Sequence, residues 1–556
     1  MKFGLLAAAA LAAGSSSALA QPIGGGGAVI QQIPRTPEEP KALPDIRVER
    51  GQTRAAPDAG GASMVVRSLR VTGETRFTEA ELIAASGFHV GAELDLAGLR
   101  GLAARISDFY NRHGYFVAQA YVPAQDIRDG AVTIAVIEGR YGKVALSNQT
   151  HVSSSLARSV LAGLGPGDSV ATAPLERRLL LLSDLPGVVV KSTLTPGEAV
   201  GTSDLLVDLA PGRRITGVLE ADNAGNRYTG QYRAGATLNF NEPLGRGDVA
   251  SLRVLTAGRG LNFVRGAYQA RVQDATIGVA YEHLSYQLGR EFRPLHADGT
   301  VDIASVYGSY PLIRSRNANL YALADFDQRW FEDKVGAPPS LTRKTARVAI
   351  LGLAGDRHDS FWGGGWTSGS VNWALGDLDI ETPAVRALDA LTARSNGSYN
   401  KLSFEAARLQ SVAGGPLSLY GAARGQLASK NLDSSEKMEL GGAYGVRAYP
   451  EGEAYGDQGY ILTAEARLRL APLSEWTHGN LQAVAFADHG EVTLNKTPWT
   501  GGPNTRSLSA AGFGLAWDDR HNLLIKASYA FRVGSERATS APDRSGRLWV
   551  QVSKIF

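Results

Sequence analysis

Cysteine is absent from this chain, and methionine occurs only 3 times in 556 residues. The first absence excludes disulfide staples and thiolate metal centres. A strong charge of either sign is lacking too: 57 Lys+Arg stand against 54 Asp+Glu, a formal +3. No basic stripe is left over to attract nucleic acid, so no nucleic-acid partner is expected. Beyond the N-terminus no stretch nears the ~18 consecutive apolar residues of a membrane-spanning helix. Neither H-E-x-x-H nor G-x-S-x-G occurs, and the 9 histidines are scattered. No catalytic residue, metal or cofactor is therefore assigned, and the chain is not expected to be an enzyme. What remains is either a soluble chain or one that crosses a membrane as a closed β-barrel.

The first residues favour export. Lys2 precedes the apolar run LLAAAALAA (5–13) and a small-residue stretch ending in Ala-Leu-Ala. A basic start, a short apolar core and an A-x-A site predict a bacterial signal peptide over 1–20, cleaved after Ala20. Residues 21–64 carry GGGG (24–27) and Pro34, Pro37, Pro40, Pro44 and Pro57. That composition predicts a linker, with room for one short, plug-like helix within AVIQQI (28–33).

Residues 65–140 have a different rhythm. VVRSLRV (65–71) alternates as a strand, and Thr78 with Glu81 forms a capping box ahead of a short helix. Leu99, Leu102, Ile106 and Tyr110 recur at helical spacing, and Gly114 ends that helix. YFVAQAYVP and AVTIAVIEG follow as strands. Residues 141–212 repeat the order strand, helix, helix, strand, strand. These are read as two small α+β domains.

From 213 to 556 no helical period of any length is found. Segments of about ten residues alternate apolar and polar side chains between Gly, Asn, Asp and Pro. In YILTAEARLRL (460–470), Tyr460, Leu462, Ala464, Ala466 and Leu468 oppose Thr463, Glu465, Arg467 and Arg469. Sixteen such segments are predicted. The polar faces hold both charge signs at mid-strand, as a wet lumen would, and the last strand ends in an aromatic, Phe556. The fold class expected is mainly β: a 16-stranded antiparallel transmembrane barrel behind two periplasmic α+β domains, in a bacterial outer membrane.

Several stretches, in this order, resemble one family. YNRHGYFVAQAYVP (110–123) has its Y-x-x-x-G-Y junction in Tyr110, Gly114 and Tyr115; GAVTIAVIEGRYGKV and LLLLSDLPGVVVKSTLTPG look like its domain hand-overs. DNAGNRYTGQYRAG and NEPLGRGD resemble the entrance of its barrel, with Asp222, Asn223, Gly225, Thr229 and Gly230 in family positions. The family is the two-partner secretion transporters of the ShlB/FhaC/HecB haemolysin secretion/activation type, within the superfamily of POTRA-barrel insertases. The resemblance implies POTRA domains at 65–140 and 141–212 and a barrel at 213–556. It implies export of one large haemolysin- or adhesin-like exoprotein, captured by the POTRA domains.

It also implies a gating loop tipped by V-R-G-Y/F, which here reads VRAY with Val446, Arg447 and Tyr449. Ala448 stands where the family carries glycine. The loop's partner on the barrel wall is F-x-D-x-G, here Phe486, Asp488 and Gly490. Residues two apart in a strand share a face, so Phe486 and Asp488 point the same way. An arginine on a lumen loop can meet that carboxylate in a bidentate pair. GGAYGVRAYPEGEAYGDQG is thus a loop folded tightly in a pore, with no following helix to make a phosphate cradle. Tyr110 and Tyr115 read as packing residues. Phe556 resembles the signal read by the barrel assembly machinery, and outer-membrane lipid and a monomeric state are expected. An assembly factor and a passive porin are the alternatives.

Overall fold

The computed structural model describes residues 25–34, 44–48, 63–519 and 521–556. The predicted signal peptide lies outside them, as does much of the predicted linker. The described part of that linker forms helix α1 (Gly26–Ile30) and strand β1 (Asp45–Val48). Helix α1 is buried, and its glycines are there for close approach rather than looseness. A Cβ on Gly26 would lie 2.6 Å from Val301 Cγ2, and one on Gly27 2.8 Å from the Ser435 nitrogen.

The first α+β unit contains β2 (Met64–Val66), β3 (Ser68–Thr72), α2 (Glu79–Ser86), β4 (Ala92–Leu94), α3 (Leu96–Arg112), β5 (Gln119–Tyr121) and β6 (Ala131–Ile137). Thr78 and Glu81 cap α2 reciprocally, and Gly87 ends it in the left-handed region. Strand β3 runs parallel to β6, with β5 antiparallel on its other side. Leu99, Leu102, Ile106 and Tyr110 bury against Leu69, Val132 and Ile134, so the helical stripe meets the alternating faces of the sheet.

The second unit contains β7 (Arg140–Asn148), α4 (Ser154–Val160), α5 (Thr172–Ser183), β8 (Val188–Pro196) and β9 (Thr202–Pro211). Its sheet has the order β1-β8-β9-β7: the linker strand β1 lies parallel on the edge of β8. Leu175, Leu179, Leu181 and Leu182 of α5 make up the middle of its core.

The barrel begins with β10 (Ile215–Asp222), β11 (Arg233–Asn241), β12 (Val249–Thr256), β13 (Leu261–Val272), β14 (Ala275–Gln287) and β15 (Asp298–Arg314). It continues through β16 (Ala318–Gly336), β17 (Pro339–Asp359), β18 (Gly365–Ile380), β19 (Gly397–Ser411) and β20 (Leu417–Ala428). A long loop, 429–457, carries the paired two-residue strands β21 (Met438–Glu439) and β22 (Tyr455–Gly456). Strands β23 (Gln458–Arg469), β24 (Gly479–Thr493), β25 (Thr505–Asp519), β26 (Leu523–Val533) and β27 (Gly546–Ile555) complete the ring. The sixteen strands pair antiparallel in sequence order, and β27 closes on β10. Closure leaves no edge unpaired, which is what a hydrocarbon surround demands. Phe556 extends the seam: it and Gly217 exchange two backbone hydrogen bonds of 3.0 Å.

Apolar side chains such as Leu219, Val254, Leu353, Leu462 and Phe513 stand exposed on the outside, as lipid-facing residues do. Besides 3-10 turns at Arg290–Leu295 and Phe361–Gly363, two short α-helices interrupt the expected all-strand pattern, α6 (Pro383–Leu391) between β18 and β19 and α7 (Ala471–Trp476) between β23 and β24. Each starts with a proline in its first turn, and α6 spans only nine residues, too few for a helical period to stand out.

The second α+β unit sits against the turns at its end of the barrel. Asp184 accepts two bonds of 2.9 Å from Arg314, Arg177 and Arg178 face Asp274, and Ser153 donates to the Gly245 carbonyl at 2.9 Å. The long loop leaves β20 at the opposite end and turns back into the lumen.

Candidate functional site: the occupied lumen

The tip of the long loop reaches the wall formed by β23 and β24. Arg447 Nε and Nη2 donate to the two Asp488 oxygens at 2.8 and 2.7 Å, and its backbone N–H donates to Asp488 Oδ2 at 3.2 Å. Nη1 donates to Glu465 Oε1 at 2.9 Å, and the guanidinium lies 3.5 Å over the Phe486 ring. The Arg447 carbonyl accepts from Trp549 Nε1 on β27 at 2.6 Å. Strand register explains the grouping. Thr463 is opposite Asp488 and Glu465 opposite Phe486, so all four face the lumen together. Thr463 Oγ1 adds a bond to Asp488, and Arg467 two to Glu465.

Both charges are out of water: the Arg447 side chain is 14% exposed and that of Asp488 0%. Removing one partner from such a pair costs on the order of 3–5 kcal/mol, because the other is left buried and uncompensated. A wet pair would be worth ~1 kcal/mol or less. Val446 and Tyr449 are buried beside the pair with Leu440, Leu508 and Ala510. Gly490 lies on β24 against Leu440: a Cβ there would approach Leu440 Cδ2 to 2.9 Å. Ala448 is buried and does not take a left-handed backbone, so the residue that departs from the family pattern carries no φ strain.

The remaining motif residues are elsewhere. Asp222 ends β10 and receives Arg233 Nε at 2.9 Å; Asn223 bridges to β27 through Leu548 and Val550. Gly225, Thr229 and Gly230 lie in the β10–β11 loop, where Gly225 N–H donates to the Gln231 carbonyl and Gly230 has φ 113°. All five are at the end of the barrel far from the α+β units. Tyr110 is buried in the first unit and donates to Glu138 at 3.0 Å; Tyr115 is half-buried beside it, and Gly114 turns the chain with φ 90°. Burial pushes the Tyr110 hydroxyl pKa up. Burial alone would raise Glu138, but hydrogen bonds from Thr75, Arg76 and Tyr110 hold its carboxyl below the usual range.

Helix α1 occupies the lumen beside the loop. Gly26 N–H donates to Asp333 Oδ1 at 2.8 Å, Gln31 Nε2 to the Ser434 carbonyl at 3.0 Å, and Gln32 Nε2 to Tyr455 Oη at 2.9 Å. Arg233 holds the Gln32 carbonyl at 2.7 Å, and Val29 packs among Leu255, Phe263, Val301 and Phe331. The root of the loop is held by Asp433 to Lys344, and by Glu436 to Arg329 and Lys401. None of these root contacts was singled out in the sequence, nor was Glu465 or Trp549. Glu465 could have been: it shares the lumen face of YILTAEARLRL with Thr463. Among the described residues no cluster suited to a metal ion occurs.

A family model for the haemolysin secretion/activation protein ShlB/FhaC/HecB matches residues 201–517, and one for the ShlB-type POTRA domain matches 64–139. The heme/hemopexin transporter protein HuxB of Haemophilus influenzae is 29% identical over 482 residues, spanning 84% of this chain and 82% of its own length. In structure the chain is similar to CdiB from Escherichia coli, with TM-score 0.69, 20% identity and coverage of 91% and 93% of the two chains. CdiB from Acinetobacter baumannii matches with TM-score 0.63, 17% identity and 95% coverage of both.

Proposed function

The chain belongs to the ShlB/FhaC/HecB haemolysin secretion/activation family, as an outer-membrane transporter of two-partner secretion, and we propose that the structure described above is its closed, resting state. The family's members act with secreted partner exoproteins, and the POTRA domains lie on the periplasmic side.

The observation that carries the proposal is the bidentate Arg447–Asp488 pair inside a lumen also filled by α1. A polypeptide needs that space, so the loop tip and α1 must both shift for passage. The partner arrives unfolded in the periplasm, where an extended segment can add a strand to a POTRA sheet. On the second POTRA sheet the β8 edge is held by the chain's own β1. Capture there is an exchange of one strand for another, and it pulls on the same linker that leads to α1. No nucleotide drives the step; folding of the exoprotein outside supplies the direction. The POTRA core residues Tyr110, Gly114 and Tyr115 shape the domain rather than touch cargo. One chain closes the ring, so the working unit is a monomer in outer-membrane lipid. Phe556, at the end of the closing strand, is the feature the barrel assembly machinery would read during insertion.

Arg447→Ala tests the reading. Secretion of the cognate exoprotein should fall while the heat-modifiable, inserted barrel persists. Normal secretion by that variant would sink the role given to the pair. No feature of the lumen favours the assembly-factor reading, and a passive porin has no use for the periplasmic domains.

A further inference from the structure

The tip is not the loop's sole attachment. Its outgoing limb carries Glu453, whose side chain is 0% exposed. Its carboxylate is surrounded by donors from two other elements. Arg506 Nη1 on β25 forms an ion pair with it. In the β26–β27 loop, Thr539 Oγ1 and Ser540 Oγ each donate at 2.7 Å, and the Thr539 and Ser540 backbone N–H groups at 2.9 and 2.8 Å. Tyr449 Oη reinforces the contact by donating to the Glu536 carbonyl at 3.0 Å. A carboxylate this dehydrated is held only because every lone pair is used. None of these partners is shared with Arg447, whose side chain grips β23 and β24 and whose carbonyl is held by Trp549 on β27.

Position around the ring gives the contact its meaning. The loop's root is fastened to β16, β17 and β19, and Glu453 to β25 and the β26–β27 loop. In the closed strand order β17 and β25 are six strands apart in a ring of sixteen, nearly opposite walls. The body of the loop is a hairpin stiffened by the β21–β22 pair and by Gly441 N–H donating to the Glu453 carbonyl at 3.0 Å. The loop therefore lies as a bar across the outer mouth, hinged at its root.

We propose that Glu453 is the catch of that bar: a positioning residue that keeps the pore shut independently of the Arg447–Asp488 pair, so that passage requires both contacts to part. This rests on the reading that the loop moves during secretion. Two locks on one bar predict a specific pattern. Releasing the tip alone leaves the hairpin spanning the mouth, and releasing the catch alone leaves the tip on its wall.

Single-channel recording of the purified full-length protein in planar bilayers tests it, using Glu453→Ala, Arg447→Ala and the double variant. Each single change should raise the frequency of open events, roughly tenfold or more for loss of a partner to a buried charge. Independent locks multiply, so the double variant should open far more often than either single one. A double variant no more open than Arg447→Ala, or a folded Glu453→Ala protein with unchanged closed times, overturns the proposal. If Glu453→Ala fails to fold, Thr539→Val with Ser540→Ala removes hydroxyl donors from the other side without touching the loop, and must raise opening in the same way. Arg447→Ala separates the two ideas. If it neither opens the channel nor alters secretion, the tip-anchor reading fails, whereas Glu453→Ala reports on the catch by itself.

Discussion

The core of the second POTRA domain and the lumen of the barrel are both filled, but only the lumen adds buried ion pairs to its apolar packing. In the first, Leu175, Leu179, Leu181 and Leu182 bury against Val190, Leu205 and Val207 without a charge among them. In the second, Arg447, Asp488, Glu465, Glu453 and Arg506 are buried as paired ions. Apolar packing is non-directional and stabilises the folded state without asking for particular partners. Buried ion pairs add little net stability over an apolar filling, but each depends on one geometry. A domain that stays folded uses the former. The lumen combines both, setting these ion pairs among the apolar contacts of Val29, Val446 and Tyr449, and on the proposed reading the ions are the contacts suited to parting because they regain water.

The sharpest way to break this comparison is to remove one ion. Asp488→Ala should loosen the loop tip by about 3–5 kcal/mol, seen as new protease cleavage near residue 447 with the barrel still inserted. Replacing both ions, Arg447→Met with Asp488→Leu, should restore protection, since an apolar pair of similar volume is often no less stable. That double variant should stay closed and secrete poorly. If it secretes normally, the ions are not needed for opening, and the contrast collapses.

Next in size, Leu179→Ala should cost about 2–5 kcal/mol through the cavity it leaves, read by hydrogen exchange across α5. A smaller effect, about 1.5–3 kcal/mol, is expected for Asp184→Ala, which removes a charged acceptor between the second POTRA domain and the barrel. Spin labels on the two bodies should report a broader distance distribution. The smallest effect concerns Glu138. Its folded pKa is depressed, so its contribution is present above the ordinary carboxylate range and is lost as pH falls through the folded value. Protection from exchange around Thr75, taken relative to the intrinsic rate at each pH, should therefore fall under acid, and Glu138→Gln should flatten that dependence.

Much of the architecture was legible in the chain itself. Period-two segments mark the strands because one barrel face meets lipid and the other water: the segment 460–470 lies along β23, and the sixteen predicted segments match the sixteen strands of the ring. The capping box at Thr78 and Glu81 is equally local. Less legible was the stretch around residues 24–33. Its glycines read as a loose linker, whereas Gly26 and Gly27 are small because Val301 and Ser435 press against them. The nine-residue helix α6 was missed because so short a segment cannot display a period.

The candidate site divides along the same line. Arg447, Phe486 and Asp488 stood out through family motifs, but Glu465, Trp549 and the Glu453 catch did not. What the sequence alone determined is the alternation, the caps and the change of rhythm at residue 213, all of which depend on neighbours a few positions away. What only the tertiary structure decided is which charges meet. Residues 453, 506 and 539 come together because β23 to β27 pair side by side and the chain ahead of β23 folds back over that wall. Only there, out of water, does a single carboxylate require a full set of partners.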